Sequence, residues 1–129
     1  MKVTTYGTRG SLPVAGVGVV RYGGRTTSLR IESDCLRPGM VLVIDAGSGF
    51  QPLSMDAMKG GMKEMVVLFT HYHYDHVQGL PIAPPIYLKG LPIHAYGPVE
   101  VGIGPGEMIR ELMRPPFHPV DARQVNCHF

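Results

Sequence analysis

The run Met65-Val66-Val67-Leu68-Phe69-Thr70 is apolar without alternation and passes directly into His71-Tyr72-His73-Tyr74-Asp75-His76. An unbroken apolar run of this length predicts a strand covered on both faces, as in a layered α/β fold. The residues that follow end that burial abruptly, so the strand must surface there. Open α/β sheets place their sites where strands surface in this way, and a strand end is a rigid mount.

The six residues after the strand hold three imidazoles and one carboxylate. Neutral imidazole and carboxylate oxygen suit zinc and similar borderline ions. In an extended segment His71 and His73 point to the same side, so both can reach one ion. Asp75 and His76 fall where the chain must turn, and can serve a second ion or the water between two. Structural metal sites are usually closed and cysteine-rich, whereas His and Asp ligands more often leave a position for water. The pattern therefore predicts a catalytic metal site: a bound ion makes hydroxide available near neutral pH, and two ions can hold both oxygens of a displacement.

The other segments read as short strands and turns, with 17 glycines and 12 prolines spread along 129 residues. Lys2 to Tyr6 is a first strand. Val14 to Val20 is apolar but glycine-interrupted, which predicts a packed loop. Thr27 to Glu32 alternates polar and apolar residues, and Met40 to Ile44 is β-branched and apolar, so the stretch 25–44 reads as a hairpin. Gln51 to Lys59 is a short helix closed by Gly60-Gly61. Leu91 to Tyr96 is another strand. Glu107 to Arg114 is a helix with Ile109, Leu112 and Met113 on one face, stopped by Pro115-Pro116. Ala122 to Phe129 begins a strand-like segment.

Composition bounds the partners. Apolar residues make up 44% and charged residues 17%, with a net charge of +2, so the chain is globular and has no electrostatic signature for nucleic acid. A nucleic-acid substrate is unsupported by charge. No stretch reaches membrane-span length, and residues 1–7 lack the apolar core of a signal peptide. Cys35 and Cys127 form no CxxC pair and predict two buried thiols in a reducing compartment. The expected location is the cytoplasm, and the expected organisation is one domain over residues 1–129.

The hexad resembles the signature of the metallo-β-lactamase superfamily. Further stretches resemble its phosphodiesterase-like branch, which includes ribonuclease Z and cyclic phosphodiesterases. They are the stretch 6–13 (Tyr-Gly-Thr-Arg-Gly-Ser-Leu-Pro), then Arg21-Tyr22-Gly23-Gly24, Ile44 to Gly49, Thr70 to Pro81, and Met113 to Phe117. The resemblance implies an αββα sandwich, of which this chain supplies the N-terminal portion, mainly the first β-sheet and its helices. It implies that His71 and His73 bind a first divalent metal, and that Asp75 and His76 bind a second. Asp75 would also stand near the nucleophilic water, so His73 and Asp75 carry the catalytic roles. Asp45 would steady the His loop from behind, although from the residues alone an ordinary turn aspartate is an equal reading. Thr8, Arg9 and Ser11 would lie near the metals. Zinc is the first expectation, with manganese or iron as alternatives.

By the same resemblance, a histidine, a bridging aspartate and a final histidine belong to a second half. His94, His118 and His128 read as non-ligands, and Asp121 has no motif around it. Three functions follow. The first is a dinuclear metal phosphodiesterase that uses a metal-bound hydroxide on a small-molecule or nucleotide phosphodiester. The second is a half-domain that binds metal weakly and is inactive until a second copy or a complementing chain completes it. The third is a lactam, lactone or thioester hydrolase on the same scaffold.

Overall fold

A computed structural model describes residues 1–125 and the backbone of Cys127–His128. Its centre is one six-stranded sheet in sequential order: β1 (Lys2–Gly7), β2 (Ser28–Glu32), β3 (Met40–Ile44), β4 (Glu64–Leu68), β5 (Ile93–Tyr96) and β6 (Cys127–His128). β1, β2 and β3 pair antiparallel, and β3 to β6 pair parallel. Parallel neighbours need crossovers. Helix α1 (Phe50–Lys59) lies between β3 and β4, the short α2 (Tyr74–Val77) between β4 and β5, and α3 (Pro105–Leu112) between β5 and β6. This mixed layered architecture agrees with the predicted first sheet and its helices.

The core lies on one face of the sheet. Val41, Val43, Met65, Val67, Ile93 and Ala95 share that face by register and pack with Phe50, Leu53 and Ala57 of α1 and Met108 and Ile109 of α3. Residues three and four apart on α1 meet the sheet, which accounts for its single apolar stripe. Pro52 falls in its first turn, where a missing N–H costs nothing. Its end is a Schellman closure: Gly61 takes a φ of 75°, Met62 N–H donates to Ala57 O, and Gly61 N–H donates to Met58 O. At the start of α3, Pro105 occupies the first turn and Glu107 accepts from Gly104 N–H at 3.3 Å.

Three expectations change. Met65 and Val67 are buried, but Val66 and Leu68 are only half-buried, so β4 is covered on one face rather than two. The same half-exposed face carries Leu29, Ile31, Leu42 and Ile44, all apolar. The apolar run has the composition of a fully buried face, which the described residues cover only in part. The predicted packed loop is instead a solvent-exposed excursion: it contains a 3-10 turn (Val17–Val19) with no buried residue, and Val17 is 92% exposed. Its glycines leave too few consecutive side chains to anchor it. Cys35 is exposed in the turn after β2 rather than buried, and the side chains of Cys127 and His128 lie outside the described residues.

The asymmetry of β4 can be measured. Val67→Thr puts a hydroxyl into the closed core and should cost about 1–3 kcal/mol. Val66→Thr, on the open face, should stay within about 0.5 kcal/mol. Urea unfolding midpoints give both, and equal losses would mean that the open face is buried in solution.

Candidate metal centre

Three parallel strands end at one place. β3 delivers Asp45, β4 delivers Thr70 and the hexad, and β5 runs into Gly97-Pro98, whose Pro98 carbonyl accepts the Tyr72 hydroxyl at 2.5 Å. The Tyr72 ring also tilts against Phe69, with centroids 5.9 Å apart. Burial pushes the Tyr72 phenol pKa upward, and the charges of Glu100 and Glu107 add to that, so the hydroxyl stays protonated as a donor.

Asp45 holds the centre together. It is buried, at 1% exposure, with a left-handed φ of 57°. Aspartate tolerates that conformation better than most residues. Its Oδ1 accepts the Thr70 N–H at 2.8 Å, and its Oδ2 accepts the Thr70 hydroxyl at 2.9 Å and meets His76 Nδ1 at 2.8 Å. Asp45 is thus a turn residue whose carboxylate also bonds Thr70 and the His76 ring.

These contacts fix the histidine tautomers. The single Thr70 hydroxyl proton goes to the carboxylate, so His71 Nδ1, 3.0 Å from Thr70 Oγ1, must be the donor in that contact. His76 Nδ1 likewise donates to Asp45. Both rings then carry their lone pair on Nε2, the form that a metal takes. Sequence reading missed Thr70; its position between a buried strand and the first histidine was the available signal.

The backbone docks α2 onto the Asp45 turn. Ala46 N–H donates to His76 O at 2.6 Å, and Gly79 N–H donates to Ala46 O at 2.8 Å. This approach needs bare glycines: a Cβ on Gly79 would stand 2.1 Å from Gly47 O, and one on Gly47 would stand 2.1 Å from Asp75 O. Thr26, fully buried, accepts from Ser48 N–H and from the Gln78 side chain, tying the same turn to the segment ahead of β2.

The hexad side chains gather above this platform. His71 and His73 have ring centroids 4.6 Å apart, and His71 and His76 4.0 Å apart. Asp75 Oδ2 lies 3.5 Å from His76 Nε2 and accepts the Ser11 N–H at 2.9 Å. That backbone donor is the main cause that lowers the Asp75 pKa; desolvation opposes it, and the nearby imidazoles assist it. Ser11 achieves this from a left-handed φ of 65°. Arg9, expected near the metals, turns back to donate to Leu12 O.

The other titratable groups lie apart. His94 sits on β5 with its Nε2 3.7 Å from Glu64. His118 is engaged with the carbonyls of Val120 and Pro81. Asp121 pairs with Arg123, which holds its carboxyl down to about 2. His128 falls outside the described side chains.

The donors fit a cation in pairs. In a neutral ring with its proton on Nδ1, His76 would present its Nε2 lone pair to the Asp75 carboxylate 3.5 Å away, whereas a protonated ring pairs with that carboxylate directly. Two ligands of a tetrahedral zinc, each at about 2.1 Å, stand about 3.4 Å apart. Among the described residues no three histidine, cysteine, aspartate or glutamate side chains converge to hold an ion by themselves.

No family profile matches the chain. It is 28% identical to ribonuclease Z of Methanococcus maripaludis over 131 residues, covering 99% of this chain and 37% of that protein. It is 31% identical to ribonuclease Z of Lachnospira eligens over 81 residues, covering 63% of this chain and 23% of that protein. Among solved structures it matches the short form of human tRNase Z with a TM-score of 0.53 and 28% identity, covering 78% of this chain and 36% of that one. These partial likenesses point to the metallo-β-lactamase superfamily. Its named relatives are ribonucleases Z, and it spans between about a fifth and two fifths of their length.

Two substitutions test the platform. Asp45→Asn leaves one acceptor where Thr70 N–H and the His76 ring need two, and should cost about 1–3 kcal/mol in urea unfolding. It should also weaken zinc binding by about 10–100-fold, read by competition with a chelating dye. Gly79→Ala should cost about 1–3 kcal/mol by forcing α2 off the Asp45 turn, with shifted imidazole resonances for His76.

Proposed function

We propose that this chain is the metal-binding N-terminal portion of a dinuclear metal-dependent phosphodiesterase acting on nucleotide or RNA phosphodiesters. The observation that carries the reading is the shared Asp45 carboxylate, which sets His76 directly, and His71 through Thr70, with Nε2 free. His71 and His73 would hold one ion, and Asp75 and His76 a second, with zinc the best match to imidazole and carboxylate. The ions would supply Lewis-acid activation and charge neutralisation on a phosphoryl group. The protein's own part is positional: Asp45 fixes the rings, Ser11 N–H orients the Asp75 carboxylate, and the docked α2 keeps Asp75 and His76 rigid. Similarity to ribonucleases Z supports the choice of a phosphodiester over a lactam, lactone or thioester.

A second reading has its own observation. The half-exposed sheet face and the paired, non-converging donors favour a half-domain that needs a complementing chain or a second copy for activity.

Zinc per chain by plasma mass spectrometry, with bis(p-nitrophenyl) phosphate turnover, separates the two. Two ions and turnover are expected for the phosphodiesterase, and His73→Ala should lose the first ion and all activity. Unchanged zinc content in His73→Ala would sink the ligand assignment. One ion or fewer without turnover, restored by the missing half, would establish the second reading.

A further inference from the structure

Beside the metal centre runs a cleft of about 560 Å³ lined by Tyr72, Tyr74, Val77, Met108, Arg114 and Phe117. Its wall is the hexad itself: Tyr72 and Tyr74 flank His73, and Val77 follows His76. The volume falls within the range of small-molecule sites. The cleft is mostly apolar, yet two of its aromatic rings are held out in water: Tyr74 is 76% exposed and Phe117 80%. Neither ring has an aromatic partner among the described contacts, so their faces are open. Helix α3 and the prolines after it carry Phe117 and Arg114 to the opposite lip, and the Phe117 N–H donates to Arg114 O at 3.0 Å. The Arg114 guanidinium reaches Glu111 only at 3.8 Å and is largely exposed.

Exposed aromatic faces with a guanidinium, set along a cleft whose wall includes the two tyrosines of the hexad, match the chemistry of a nucleotide. Bases stack on aromatic rings regardless of sequence, and arginine adds stacking and phosphate contacts. Building on the phosphodiesterase reading, we infer that this cleft is a nucleobase subsite. Tyr74 and Phe117 stack the base next to the scissile phosphate, and Arg114 closes the rim. The chain thereby selects nucleotide over simple alkyl phosphodiesters.

Titration of the full chain, followed by NMR, with adenosine 5′-monophosphate and with ribose 5-phosphate isolates the base. The nucleotide should bind about tenfold more tightly than the sugar phosphate. Tyr74→Ala and Phe117→Ala should each erase most of that preference and leave ribose 5-phosphate affinity unchanged, while Tyr74→Phe keeps it. Both rings are exposed, so unfolding midpoints should not move. Equal affinity for the two probes in the unaltered chain, or a preference that survives both alanine variants, overturns the subsite. The outcome is independent of the metal reading. Zinc binding and diester turnover without base preference remove the cleft alone. Base preference without zinc binding removes the phosphodiesterase assignment and leaves the cleft.

Discussion

A single buried carboxylate organises everything at the working end of this molecule. Asp45 accepts hydrogen bonds from the Thr70 N–H, the Thr70 hydroxyl and the His76 ring, and it is buried. A buried charge without such partners would be strongly destabilising, so the surrounding donors and the carboxylate require one another. The strand-end geometry follows from that requirement. β3 and β4 run parallel and end side by side, which brings Asp45 and Thr70 together from positions 25 residues apart. The left-handed turn at Asp45 then aims its second oxygen at α2.

The division of labour is physical. The clustered imidazoles and the Asp75 carboxylate come from one short segment, where sequence spacing can set their relative direction. Their orientation comes from elsewhere: Asp45 from β3, Ser11 from the loop after β1, and the close glycine contacts from the turn before α1 and the end of α2. Ligands on a loop gain the rigidity of the sheet only through these cross-braces. The apolar cleft beside them extends the same segment outward, so histidines and the aromatic wall alternate along His71–Tyr74.

Much of this was legible beforehand, for identifiable reasons. The hairpin, α1, β4 and the face of α3 follow from alternation, from the glycine stop and from 3.6-residue spacing, all local signals. The clustering of the hexad histidines was legible because they are nearly contiguous. The role of Asp45 was not, since aspartate after a strand is equally a turn former; only the parallel register of β3 and β4 distinguishes the two. Thr70 and the Ser11 N–H were silent because a hydroxyl or a backbone donor leaves no compositional trace. The apolar run of β4 misled in one respect: Val66 and Leu68 have the composition of a covered face, while this chain supplies cover only to Met65 and Val67. Cys35 misled in the same way, since residue type carries an average burial and its turn after β2 is exposed.

The sheet is therefore finished on one side and open on the other. Leu29, Ile31, Leu42, Ile44, Val66 and Leu68 form adjoining rows across three strands, and leaving their apolar surface in water costs free energy. Whatever binds that surface binds the folded chain and not the unfolded one. By mass action the apparent stability of this molecule becomes a property of its solution: it rises with the concentration of any polypeptide that fits the face, and the protein's own thermodynamics report on its company.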